Sequence, residues 1–175
     1  AAVLPATRFP ALRDPLILSA FAVGAMSPDV PYFIPSRLMP SDAAYATGHT
    51  WTGLLVQDLP VTLALLALYW AVLAAPLRAL APSSIRRRLP TGVLAAHRTA
   101  PWRAIALVIM AATIGAMTHI VWDAFTHEGR FGVMAVPWLQ LPSVVGPLPA
   151  YRVLQYASSI IGLALVGWSL LRWYR

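Results

Sequence analysis

An all-α, polytopic membrane helix bundle of about four transmembrane helices, the first one short, is the fold class this sequence predicts, on three observations. The 175 residues are 59% hydrophobic and only 11% charged, their mean hydropathy is +0.68, and the apolar residues gather in stretches long enough to cross a bilayer. A soluble fold of this size could not hide so much apolar surface, whereas lipid accepts it all around a helix. The length leaves room for one membrane-embedded domain covering 1–175.

Asp14-Pro15 is a strong helix start, because the carboxylate caps the first free N–H groups and Pro lacks one that would go unsatisfied. The first helix, about 14–26, spans roughly 18 Å against a hydrocarbon core of roughly 30 Å. It is therefore shallow or extended by residues 1–10. Ser27 to Pro40 carries four Pro and reads as an irregular loop. The first full span follows at about 51–75, despite Pro60 near its start. Residues 76–100, with Arg78, Arg86, Arg87, Arg88, His97 and Arg98, form a basic connecting loop. Pro101 opens a third helix over about 101–126, and a fourth runs over about 150–174. Between them, 129–149 holds three Gly and four Pro and reads as an irregular loop.

All 13 basic residues are Arg, and the net charge is +7. They are not interleaved with aromatics as a nucleic-acid face would need, so nucleic acid is not expected as a partner. The charge reads as topology. With the 76–100 loop in the cytoplasm, ten Arg fall on that side and three, Arg37, Arg130 and Arg152, on the other. Tyr32, Trp51, Trp102, Trp138, Tyr151, Trp173 and Tyr174 lie near the span ends, as an aromatic belt requires. The chain begins at Ala1 without Met, which leaves room for an initiating segment upstream, and no stretch reads as a signal peptide.

There is no Cys, so any metal must be held by imidazole and carboxylate. Asp29 follows the first helix, His49 precedes the second, and His119, Asp123 and His127 lie near the end of the third. Under the Arg-based topology all of them meet on the face away from the basic loop. In Thr118-His119-Ile120-Val121-Trp122-Asp123 the imidazole and the carboxylate stand one turn apart on the same helix face, and His127 extends that stripe. Imidazoles with one or two carboxylates are the ligand set of zinc and related ions, which generate hydroxide from water at neutral pH. A buried hydrogen-bonded pair tying helices together is the competing reading, since HxxxD alone is a frequent match. Ionisable groups within apolar helices are costly, which favours the functional one. Asp58 is either a carboxylate orienting a ligand or an interhelical acceptor. Glu128 is a general-base candidate or a solvated loop cap, His97 reads as solvated, and Gln155, Ser158 and Ser159 read as polar contacts between helices.

Met26-Ser27-Pro28-Asp29, Gly48-His49-Thr50, Asp58-Leu59-Pro60, His119-Ile120-Val121-Trp122-Asp123-Ala124-Phe125-Thr126-His127 and Leu154-Gln155-Tyr156 occur in that order. Together they resemble a bacterial membrane family known as domain of unknown function 4184, along nearly the whole chain. Members begin with a Ser-His-Pro segment just before the match to Ala1-Ala2-Val3-Leu4-Pro5, which implies a further His outside the numbered sequence. More remotely, the order Asp, His, then HxxxD is similar to zinc-dependent phospholipase C and the membrane-bound metal-dependent hydrolases. That similarity implies Asp29, His49, His119 and Asp123 as metal ligands for one or two divalent ions, zinc first. No second His-x-x-x-Glu follows, so the full three-zinc pattern is not expected.

The expectation is a membrane-embedded metal-dependent hydrolase acting on a phosphoester or related ester of a membrane lipid, with His127 and Glu128 as the acid/base candidates. It sits in the bacterial inner (cytoplasmic) membrane with its site on the extracytoplasmic face. The alternative is a non-enzymatic accessory subunit of a larger membrane protein complex, its His/Asp cluster a structural polar or metal site. A transporter ranks third, because four helices without broken-helix repeats leave little room for an alternating pathway.

Overall fold

The computed structural model describes residues 14–35, 37–38, 41–96, 100–144 and 146–175; His97, Arg8, Arg13 and Arg98 lie outside them. The chain is all-α in class. Three helices are long and apolar enough to cross a membrane: Trp51–Leu80, Pro101–Thr126 and Ala150–Tyr174, of 30, 26 and 25 residues. We label the main helices α1 (Pro15–Gly24), α2 (Ser41–Gly48), α3 (Trp51–Leu80), α4 (Pro101–Thr126) and α5 (Ala150–Tyr174). The described residues divide into two compact units, one ending at His119 and the other beginning at Ile120.

In the first unit, Asp14 caps α1 by accepting from the backbone N–H of Leu16 at 2.9 Å and of Ile17 at 3.4 Å. α1 stops at Gly24, and the chain re-enters helical geometry as a 3-10 helix over Ser27–Phe33, bent from α1 by 62°. This segment was expected as irregular loop. Its prolines instead fix φ near values that suit a tight helix, with Pro28 at the N-terminal turn where no donor is lost. The bent pair passes for one broken span or a re-entrant loop by length and composition.

The pattern did not foretell α2, whose SDAAYATG sequence has no apolar stripe. Between α2 and α3 only His49 and Thr50 intervene, and Thr50 Oγ1 caps α3 by accepting from Gly53 N at 2.9 Å. A side chain at Gly53 would collide with the Thr47 carbonyl, so glycine permits this tight link. α3 runs to Leu80, five residues past its expected end at Ala75, and it carries widened π turns at Leu54–Asp58 and Leu68–Leu73. Each precedes a proline, Pro60 and Pro76. A proline ring clashes with the carbonyl four residues back, here Val56 and Val72, and the wider turn accommodates it without ending the helix.

α1 and α4 pack through small residues. A Cβ on Gly24 would meet the Ala112 carbonyl, and one on Gly115 the Phe21 carbonyl; Ala20, Ala112 and Ala116 are buried beside them. Close backbone approach of this kind is how helices associate where lipid offers no hydrophobic drive. Trp70 on α3 donates to Ser19 Oγ on α1 at 2.9 Å.

In the second unit the 129–149 link is structured: a short helix Phe131–Ala135, a 3-10 turn Pro137–Gln140, and an antiparallel pair β1 (Pro142–Ser143) and β2 (Gly146–Pro149). Gly129, at φ +70°, reverses the chain beyond α4. Val133, Leu139 and Tyr151 form the unit's core, with Phe125, Val136, Ala150 and Leu154 packed on it. Along α5 only Tyr151 is buried, leaving an apolar helix suited to lipid contact.

Candidate metal centre

The centre is built at helix ends. Where α1 stops, its last carbonyls lose their helical donors and must find others. Ser27 Oγ donates to the Gly24 carbonyl at 2.8 Å. The Ala25 carbonyl is met by His119 Nδ1, reaching across from α4 at 2.9 Å. A carbonyl only accepts, so Nδ1 carries the ring proton and Nε2 keeps its lone pair. That is the tautomer a metal ligand needs, held by a backbone oxygen as ligating histidines usually are.

Nε2 of His119 lies 3.6 Å from Asp29 Oδ1, and Nε2 of His49 lies 3.7 Å from the same oxygen. Both separations are long for hydrogen bonds. They suit donors sharing an ion instead, because bonds of about 2.0–2.1 Å at a tetrahedral angle put two ligand atoms roughly 3.3–3.4 Å apart. The two imidazoles meet edge to face, centroids 5.4 Å apart. The 3-10 helix supplies Asp29, the α2–α3 link supplies buried His49, and α4 supplies His119 and, one turn on, buried Asp123. One ligand atom from each of Asp29, His49, His119 and Asp123 lies within 4.8 Å of the other three. Two imidazoles and two carboxylates at these separations fit a divalent ion, and this His/Asp group can hold one.

His127 lies in the second unit's half of the stripe. Its Nδ1 is 3.5 Å from Asp123 Oδ1 and 3.2 Å from Thr126 Oγ1. Thr126 Oγ1 donates to the Trp122 carbonyl at 3.1 Å, so the hydroxyl accepts from Nδ1–H and the ring's Nε2 accepts from Gln155 Nε2 at 2.9 Å. Gln155 was read as a helix-packing residue, yet it holds His127. Glu128 accepts from Tyr151 OH at 3.1 Å and pairs with Arg152 at 3.7 Å, its side chain 80% exposed. Ser158 Oγ accepts from Trp122 Nε1 at 3.3 Å, and Ser158 and Ser159 both donate to the Gln155 carbonyl within α5.

Asp58 is fully buried on α3. The Ala25 carbonyl escaped sequence reasoning because a backbone acceptor has no residue signature. The break in α1 before Ser27-Pro28 was the only signal that free carbonyls would occur there.

A model of the family described as Domain of unknown function (DUF4184) matches residues 1–175. No curated protein and no solved structure matches the chain.

Proposed function

The chain belongs to the DUF4184 family, matched over residues 1–175, and from that premise we propose that it is a membrane-embedded metal-dependent hydrolase acting on a phosphoester or related ester of a lipid-like substrate. One observation carries the reading: ligand atoms of Asp29, His49, His119 and Asp123 gathered within 4.8 Å, in a chain with three helices able to cross a bilayer. Desolvating such a group in an apolar protein is costly, and ionisable clusters of this kind in membranes ordinarily mark function.

A divalent ion held there, zinc on the donor set, would acidify a water to a pKa of roughly 7 and polarise an ester oxygen. The chain's own residues set the conditions for that chemistry. Asp29 and Asp123 balance the ion's charge, and the Ala25 carbonyl holds His119 with Nε2 deprotonated. His127, its Nδ1–H directed to Thr126 and Asp123, can take or release a proton at Nε2 once Gln155 lets go. Glu128, exposed and engaged by Tyr151 and Arg152, is the weaker acid/base candidate.

Depth supports a lipid substrate. His49 sits two residues before α3 begins and Asp123 three residues before α4 ends, so the group belongs at the membrane boundary, where lipid esters lie. Exposed Tyr32, Phe33 and Trp51 flank Asp29 and His49 in the chain and suit interfacial anchoring. The Arg distribution favours the extracytoplasmic side of a bacterial inner membrane for this boundary.

The test is metal analysis of the purified protein and of His119→Ala, followed by hydrolysis assays on phospholipid and polyprenyl-phosphoester vesicles. Stoichiometric zinc, manganese or iron in the wild type, lost in the variant, with ester release that follows metal content, is expected. Absence of bound metal in both would defeat the reading. Bound metal without hydrolysis of any ester, together with co-purification at fixed stoichiometry with a larger complex, would favour the accessory-subunit alternative.

A further inference from the structure

Beyond α3 the chain builds a charged turn. Pro82 opens a single helical turn, Ser83–Arg86, its carbonyl accepting from Ile85 N at 3.0 Å and from Arg86 N at 2.9 Å. Pro90, which has no N–H to continue the pattern, follows Leu89. Two side chains fasten this turn to the end of α3. Arg78, in the last turn of α3, donates from Nη1 to the Leu89 carbonyl, and Arg86 donates from Nη1 to the Ala79 carbonyl at 3.3 Å. Arg88 Nη1 donates to the Ser84 carbonyl at 2.7 Å. Arg86, Arg87 and Arg88 are thus carried on an ordered turn, and all three are exposed. At about 100° per residue their guanidiniums fan out around it.

The surrounding sequence offers them no counter-charge: between Asp58 and Asp123 lie six Arg and no Asp or Glu. A guanidinium carries five N–H donors, so the single carbonyl that Arg86 meets leaves most of its fork available. The turn also stands at the edge of apolar surface. Leu77 and Leu80 are exposed at the end of α3. At 1.5 Å per residue the 30 residues of α3 measure about 45 Å, against a hydrocarbon core of about 30 Å. A helix of that length that starts at one boundary with Trp51 ends in the headgroup layer of the other, and the Arg fan follows directly.

Guanidiniums pair with phosphate oxygens through parallel hydrogen bonds, and basic clusters next to a spanning helix are drawn to anionic lipid. A topology signal needs only the charge; it does not need Arg78 and Arg86 to tie the turn back onto the helix. We propose that Arg86, Arg87 and Arg88 form a docking surface for the phosphate headgroups of anionic phospholipids in the surrounding bilayer. The surface lies at the opposite end of α3 from His49 and does not rest on the metal reading.

The experiment uses the full chain in neutral detergent, with thermal unfolding followed as phosphatidylglycerol, phosphatidylcholine or inorganic phosphate is added. Phosphatidylglycerol is expected to raise the melting temperature in a saturable, salt-sensitive way, and the other two are not. Arg86→Gln, Arg87→Gln and Arg88→Gln combined should require at least about tenfold more phosphatidylglycerol for half the rise. Arg172→Gln with Arg175→Gln, which removes charge at the end of α5, should respond as wild type does. No rise in wild type, or an equal rise with phosphatidylcholine, would overturn the proposal. So would a wild-type response in the triple variant, or an equal loss in the α5 variant, which would make net charge the cause. An equal rise with inorganic phosphate would assign the Arg cluster to a free anion and overturn the lipid partner. Should the triple variant fail to fold, Arg87→Glu decides, since no bond of the Arg87 side chain occurs among the described residues: a weakened response supports the surface and an unchanged one sinks it.

Discussion

His119 Nδ1 donates to the carbonyl of Ala25 at 2.9 Å, and through this bond the end of one helix sets the tautomer of an imidazole on another. The carbonyl is available only because α1 ends at Gly24. The break in the first helix thus has a chemical consequence: it turns His119 Nε2 into a lone-pair donor 3.6 Å from Asp29.

Metal binding should therefore depend on pH through the two imidazoles. Both must be neutral to ligate, so protons compete with the ion as the medium is acidified. The melting-temperature gain from saturating zinc, corresponding to about 2.7 kcal/mol at a hundredfold excess over Kd, is expected in full at pH 8. It should shrink on acidification and be abolished by a chelator at any pH. Scanning calorimetry across pH 5 to 8 checks this; a pH-independent gain would mean that the histidines do not ligate.

Close α1–α4 packing should be intolerant of side-chain volume. Gly24→Leu and Gly115→Val each place a branched side chain where the Ala112 or Phe21 carbonyl already sits, and overpacking of this kind typically costs about 1–3 kcal/mol. Gly167 on α5 has nothing within 4 Å of an added Cβ, so Gly167→Ala is expected to melt within experimental error of wild type. Both glycine variants should also lose metal affinity, because the α1 terminus carries the Ala25 carbonyl. Their stability is measured in detergent, against Gly167→Ala as control.

Much of this was visible in the sequence, and the remainder was hidden for identifiable reasons. Asp14-Pro15 and Pro101 mark helix starts because capping chemistry is local. His119 and Asp123 could be placed on one helix face because helical spacing is local too. The Pro-rich stretch after Met26 misled, since proline signals a φ value rather than an absence of helix, and Ser27–Phe33 uses that value in 3-10 turns. α3 passes Pro60 and Pro76 by widening, an outcome decided by the continuous apolar environment and not by the dipeptide. The roles of Gln155 and the Ala25 carbonyl depend on tertiary approach, for which one sequence carries no signal.

Gln155 is expected to act on turnover through His127 without touching the metal. Its amide donates to His127 Nε2 at 2.9 Å, so Gln155→Ala frees that nitrogen and loosens the ring while leaving Asp29, His49 and His119 intact. Metal stoichiometry should match wild type, and kcat should change by about tenfold, in keeping with the loss of a group that orients a functional histidine, with a shifted pH profile. Gln155→Glu, whose carboxylate only accepts, should not replace this bond to the Nε2 lone pair. Unaltered kinetics in Gln155→Ala would return Gln155 to a helix-packing role.

Membrane orientation can be read with single cysteines, because the chain has none of its own. Val144 is fully exposed in the link between α4 and α5, and Arg87 is exposed in the basic segment after α3. The topology proposed from the Arg asymmetry has the basic segment in the cytoplasm. Val144→Cys should then react with a membrane-impermeant maleimide in intact cells, and Arg87→Cys only after permeabilisation. Thr126, the last residue of α4, is separated from Val144 by the short structured link alone, so the side on which Val144 labels is also the side on which His119 and Asp123 approach the membrane boundary. Labelling of Arg87→Cys in intact cells, with Val144→Cys protected, would invert the topology and move the proposed lipid chemistry to the cytoplasmic leaflet, where a different pool of phosphoesters is available.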